Sequence, residues 1–346
     1  MTANVWFGAI LTGLFLYVAM DGSDLGIGIL AAGLRDDERR RGLLELVAAV
    51  WDGNESWILL VAVGLWGGLP GVVGGLLPAV YPLLIIMVWS LIMRGVSIEM
   101  ISNASGWPRW WGRMFTGGSV VAAFVQGMAI GTVIQGVPLG AGSRFTGDPF
   151  GFFSGFTVLT GLTTVVLYAV HGAALVAMRS GDTAARAVLA RWGQAGVPVL
   201  ALLAALTGAL IPVAGAANLT LASPLRATLM AWACLVAVVS FILAWWGLGG
   251  QGRHGTLAFI AVAGAEAAGA GGLLVLSYPV ALPPSLTIAA AASPASSLDF
   301  LIGGFGMLVP VTIAYNAYAF WVLRPRRILA RRPPDTAGAG AAGAGQ

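Results

Sequence analysis

The chain is 346 residues long, 58% hydrophobic and only 9% charged, with a mean hydropathy of +0.88. That balance excludes a soluble protein of this size, whose surface would need far more charge. All 18 basic residues are arginines, and all but Arg94 lie in the short stretches between apolar runs, so the net charge of +4 points to membrane topology and not to nucleic acid.

Apolar runs of about twenty residues or more recur from end to end, the pattern of membrane-spanning helices. Open strands and loops facing lipid would leave their backbone groups without partners. The expected fold is therefore all-α, a polytopic integral membrane protein. Nine transmembrane helices are predicted near residues 5–32, 43–66, 72–102, 114–137, 152–178, 197–216, 225–246, 256–278 and 300–323. Short connections make successive helices antiparallel neighbours. Residues 1–330 read as one membrane domain, and 331–346 as a low-complexity, disordered cytoplasmic tail. The first run lacks a basic n-region and carries Asp21 and Asp24 where a cleavage site would fall, so it is expected to stay in the mature protein.

Arginine placement sets the orientation. One side carries Arg35, Arg39, Arg40, Arg41, Arg109, Arg113, Arg179, Arg186, Arg191, Arg253, Arg324, Arg326, Arg327, Arg331 and Arg332, and the other only Arg144 and Arg226. By the positive-inside rule the N-terminus is outside and the C-terminus cytoplasmic. The pairs Gly22/Gly26, Gly64/Gly68 and Gly127/Gly131 are spaced for close helix packing. Trp107, Trp110 and Trp111 read as interfacial anchors, Cys234 as a small core residue, Asp148 as a boundary residue and Asp299 as the cap of the last helix.

An ionised side chain at mid-membrane costs about 2.5 kcal/mol or more, so each one needs a reason. Asp21 and Asp24 are three apart and share a helix face, and Asp52 and Glu55 repeat that spacing in the second helix. Asp24 and Asp52 both fall roughly 15 Å from the turn joining their helices, so the two pairs can meet at one depth. Arg94 in the third helix reaches that layer as a counter-ion, with Glu99 a further charge nearby. Three uses are open: a charge-paired network fixing helix register, a proton path from the cytoplasm, or a cation site. Calcium is excluded, because the EF-hand-like start at Asp21 has Ala32 where a bidentate Glu is required. Glu266 reads as a partnered or interface residue. His171 reads as hydrogen-bonded within the bundle, and His254 lies in a loop. Two histidines cannot hold a set of haems, so any redox centre is expected on a partner.

The segments MDGSDLGIGIL (20–30), WDGNESWILL (51–60), YPLLIIMVWSLIMRGVSIEM (81–100), GSVVAAFVQGMAIGTVIQGVPL (118–139), PFGFFSG (149–155) and VPVTIAYNAYAFWVLR (309–324) carry a family resemblance. The sequence resembles subunit II of cytochrome bd-type quinol oxidases, most nearly the cyanide-insensitive branch. Ser23, Ser56 and Ser97 depart from the residues commoner there. The resemblance implies two four-helix bundles plus one extra helix, in a bacterial inner-membrane heterodimer. The larger subunit I would bind quinol and ligate the haems, b-type and in some members d-type. No catalytic residue and no metal ligand is expected in this chain. A structural quinone or phospholipid and a small single-helix subunit are further expectations of the resemblance, with quinol and oxygen as substrates of the complex. Asp24 and Asp52 match family aspartates associated with proton delivery or with the integrity of the haem sites. Asp52 is expected to receive cytoplasmic protons, Glu55, Asp24 and Asp21 to extend the path, and Arg94 to tune it. Trp57, with Trp51, matches a region proposed as an oxygen route or apolar packing. The alternative classes are a secondary transporter or ion channel, and a purely structural scaffold. No repeated broken-helix motif in the two halves supports transport.

Overall fold

In lipid each backbone amide must find its partner within its own segment, and the apolar runs accordingly fold as long helices. The computed structural model describes residues 1–48, 50–103, 109–214 and 223–322. Its helices are α1 (Thr2–Ala31), α2 (Asp37–Ala48), α3 (Trp51–Gly68), α4 (Pro70–Asn103), α5 (Arg109–Gln135), α6 (Gly155–Arg179), α7 (Thr183–Leu210), α8 (Pro224–Gly252), α9 (Gly255–Ser277), the short α10 (Ile288–Ala291) and α11 (Ala295–Val322). Among the described residues eight helices are long and apolar enough to cross a membrane, and α2 with α3 makes a ninth when counted as one bent span.

That bend corrects the sequence reading, which runs one helix through 43–66. α2 and α3 meet at 49°. Val50, at φ −139° and ψ −11°, lies outside the helical region, and α3 starts afresh behind it. α2 opens with Asp37, Glu38 and three arginines, so its first turns are suited to the interface and not to lipid. α7 also starts well before the predicted residue 197, because Asp182 Oδ1 accepts from the amides of Ala184 and Ala185 at 2.8 and 3.0 Å. Arg186 and Arg191 therefore sit in helical turns. Asp299 lies inside α11 and is not its cap, and Cys234 is exposed on α8, not in the core. Trp110 is exposed and Trp111 packs on the core, while Trp107, the last five arginines and the tail lie outside the described residues.

α1 packs on α3 and α5, and α5 on α4, forming one half; α6 to α9 pack in sequence as the other. α1 and α5 both lie against α6 and join the halves, while α11 rests on α3 and α1 as the extra helix. Glycines set the closest approaches. Gly26 and Gly172 touch backbone to backbone where α1 crosses α6, and Gly22 faces the Tyr168 ring. Gly68 and Gly64 receive Trp6, whose Nε1–H donates to the Gly64 carbonyl at 3.1 Å.

Two connections are more structured than the sequence suggests. The α5–α6 segment holds a 3-10 turn (Ala141–Ser143), and the α9–α11 segment holds a hairpin of β1 (Val280–Leu282) and β2 (Leu286–Thr287). Val137 N–H donates to the Pro283 carbonyl at 2.8 Å and ties the two together. Arg226 donates to the Tyr278 carbonyl at 2.6 Å beside them, so this cap lies on the arginine-poor side.

Candidate functional site

Every residue of α1 from 21 to 28 is buried, so both acids of the DGSD turn are enclosed by protein on all sides. Three helices satisfy them. From α4, Arg94 Nη1 donates to Asp21 Oδ1 at 2.9 Å and to Glu55 Oε1, on α3, at 2.9 Å. Asp21 and Arg94 have no exposed side-chain area, and Glu55 sits at the rim with 23%. One turn along α1, Asp24 Oδ2 accepts from Asn54 Nδ2 at 2.8 Å. Arg179, closing α6, lies within electrostatic range of Asp24 and is 7% exposed. The sequence reading placed that arginine among the topology signals alone.

Asp52 does not join Asp24. The face of α3 that meets α1 is Asn54, Trp57, Val61, Gly64 and Gly68, a run of alternating three- and four-residue steps. Asp52 precedes Asn54 by two residues, about 200° around the helix, and is exposed. Glu55 is about 100° from Asn54, on the flank, and from there reaches α4. Glu99 is likewise exposed, five residues and about 140° around α4 from buried Arg94. Trp57 is fully enclosed, and Trp51 is half-buried with its ring over Gly95, next to Arg94.

The cluster has hydrogen-bonding capacity left over. Asp21 Oδ2, Asp24 Oδ1 and Asn54 Oδ1 are buried acceptors, and Arg94 Nε, Arg94 Nη2 and Trp57 Nε1 buried donors, with no partner among the described residues. Donors and acceptors of this kind, side by side in a polar layer, are the chemistry that relays protons through water.

Deeper in the bundle Gln126 of α5 bridges two tyrosines: Tyr168 Oη donates to its Oε1 at 2.9 Å, and its Nε2 donates to Tyr17 Oη at 2.7 Å. Beyond Tyr168, His171 Nδ1 and Glu266 Oε1 lie 2.9 Å apart. The sequence singles out both residues without pairing them, although each lies eight to eleven residues inside the arginine-rich end of its helix.

His171 is enclosed, engaged by Glu266 and packed 4.5 Å from the Phe259 ring, with Gly172 pressed on α1. His254 lies stacked at 4.7 Å on Trp246, a surface pair.

The fold and this layer define a polytopic helical membrane protein with a buried carboxylate–arginine network. The family model for cytochrome bd terminal oxidase subunit II matches residues 2–323, and the chain belongs to that family. It is 30% identical over 185 residues to the cytochrome bd-I ubiquinol oxidase subunit 2 of Escherichia coli K12, covering 51% of this chain and 48% of that protein. It is 26% identical over 205 residues to the cytochrome bd ubiquinol oxidase subunit 2 of Bacillus subtilis 168, covering 58% of this chain and 61% of the relative. The aligned region thus spans about half the length of these curated relatives. A chain of the Geobacillus thermodenitrificans bd oxidase structure has the same fold, with a TM-score of 0.72 over 96% of this chain and 99% of its own, at 18% identity.

Proposed function

We propose that this chain is the non-haem-ligating second subunit of a quinol:oxygen oxidoreductase of the bacterial inner membrane, N-terminus outside, which brings cytoplasmic protons toward a haem-bearing subunit I. The observation that carries the reading is the Arg94 guanidinium held between Asp21 and Glu55, with Glu55 at the rim and Asp52 on the surface. Exposure orders the groups: Asp52 outside, Glu55 next and within its electrostatic range, then Asp21 and Asp24 inside. Protons enter or leave this layer through Asp52 and Glu55, and Arg94 holds the carboxylates at fixed spacing. Oxygen reduction consumes protons; drawn from the cytoplasm while quinol releases its own outside, they build a gradient without a pump.

The partner's place is argued from cost. On α3 the exposed stripe is Asp52, Ser56, Leu59, Val63 and Trp66, and on α4 it is Ile85, Trp89, Ile92, Val96 and Glu99. Each stripe carries a carboxylate, and a partner surface over Asp52 would spare that group contact with lipid, which supports placing subunit I on this flank. In this reading Trp57 and Trp51 belong to the apolar wall beside that interface, on the side where oxygen approaches. The haems, a quinone or phospholipid and any small single-helix subunit belong to the complex.

The test is Asp52→Asn and Asp24→Asn in the intact complex, scored by quinol-driven oxygen uptake and by haem content. The expected result is full haem with uptake reduced at least tenfold. Normal uptake in both variants overturns the proton role, and loss of haem in proportion to activity leaves only a structural one.

A further inference from the structure

The proton route above makes no use of His171 and Glu266, which α6 and α9 bring together in the other half of the chain. Their side chains are 0% and 2% exposed. At 2.9 Å between Nδ1 and Oε1 one hydrogen lies between the two groups, whichever of them carries it. The remaining atom of each, His171 Nε2 and Glu266 Oε2, is buried and has no partner among the described residues. Those two atoms are where a further proton goes. On Nε2 it leaves an imidazolium against a carboxylate, and on Oε2 a carboxylic acid against a neutral imidazole. By either route the pair passes from a net charge of −1 to 0.

The charged groups on the elements around the pair are few: α6 itself carries Arg179, eight residues from His171, and α1 carries Asp21 and Asp24. α7 and α8, packed on α6 and α9, carry no charged residue between Arg191 and Arg226 or between Arg226 and Arg253. α9 has no other charge, and α5 has none from Met114 to Gln135. α8 offers only the Ser240 hydroxyl, beside Gly264. Toward α1 the pair meets Tyr168, which is within electrostatic range of both Glu266 and Asp21. Tyr168 is joined through Gln126 to Tyr17, itself in range of Asp21, Arg94 and Glu55. An amide hands on no proton unless it changes to its imidic form. No proton therefore passes along the Tyr168–Gln126–Tyr17 chain, while Tyr168 lies within electrostatic range of both clusters.

We propose that His171 and Glu266 form a reversible one-proton site, loaded on Nε2 or Oε2, which is coupled electrostatically to the Asp21–Arg94–Glu55 layer and insulated from it by the Gln126 amide. The proposal does not depend on Asp52 or Asp24 carrying protons, and its readout is separate from oxygen uptake.

Infrared difference spectra of the intact complex, perfused alternately with acidic and alkaline buffer, test it. Wild type is expected to show a protonated carboxylic C=O or an imidazolium band that Glu266→Gln removes. In His171→Gln the surviving carboxyl band is expected to move in frequency, because the hydrogen-bond partner of Oε1 has changed. Glu266→Asp keeps the acid, and its C=O band should move in frequency; it serves where Glu266→Gln fails to assemble. Difference spectra unchanged by Glu266→Gln, or by Glu266→Asp in its place, overturn the proposal. Gln126→Glu, which replaces the amide with a group that relays protons, is expected to merge the two titrations; two independent midpoints there overturn the insulating role.

Discussion

Asn54 occupies the place beside Asp24 that a second aspartate was expected to fill, its amide donating to Asp24 Oδ2 at 2.8 Å. One acid therefore stands where two would have met, facing an amide that gives a hydrogen bond and carries no charge. Asn54→Leu leaves Asp24 buried with neither oxygen bonded. The expected cost is about 1–3 kcal/mol, seen as a lower thermal midpoint of the purified complex, and an unchanged midpoint would show that Asp24 has another partner.

Arg94 is shared between Asp21 and Glu55, so removing it strands two carboxylates at once. Arg94→Leu is expected to cost about 3–5 kcal/mol, as for other broken buried ion pairs, and to lower the yield of assembled complex sharply. The double variant Arg94→Leu/Asp21→Leu should recover part of that loss. Equal or additive damage in the double variant would contradict the pairing.

Gly26 meets the Tyr168 carbonyl and the Gly172 backbone, whereas at Gly8 nothing lies within 4 Å of the place an alanine Cβ would take. Gly26→Ala should push α1 off α6 at a cost of at least about 1–3 kcal/mol, while Gly8→Ala is neutral. Comparison of detergent-resistance melts for the two variants checks this, and similar melts would place the α1–α6 contact elsewhere.

Cys234 is the only cysteine of the chain and is exposed on α8. With the partner on the α3–α4 flank, a membrane-permeant maleimide is expected to label Cys234 in the assembled complex without loss of oxygen uptake. Protection in the complex would move the partner to the α8 face.

The number and rough extent of the membrane helices are legible because long apolar runs leave lipid-exposed backbone no other solution. The break ahead of Trp51 is not, since Leu46 to Val50 is uniformly apolar and reads straight through a bend. The cluster is half legible for a related reason. Spacing within one helix tells which residues share a face, so Asp21 and Asp24 emerge together, but it does not tell which face turns inward. That choice is made by Trp57, Val61 and Gly64 packing on α1, and it carries Asn54 in and Asp52 out. The pairing of His171 with Glu266 spans 95 residues and two helices. Matching their depths from the arginine-rich ends was the available signal.

At Gly26 and Gly172 the two halves of the chain meet main chain to main chain, with no side chain between them to change rotamer. A contact of this kind sets how near the two halves can come, and a larger residue at either position would prise them apart.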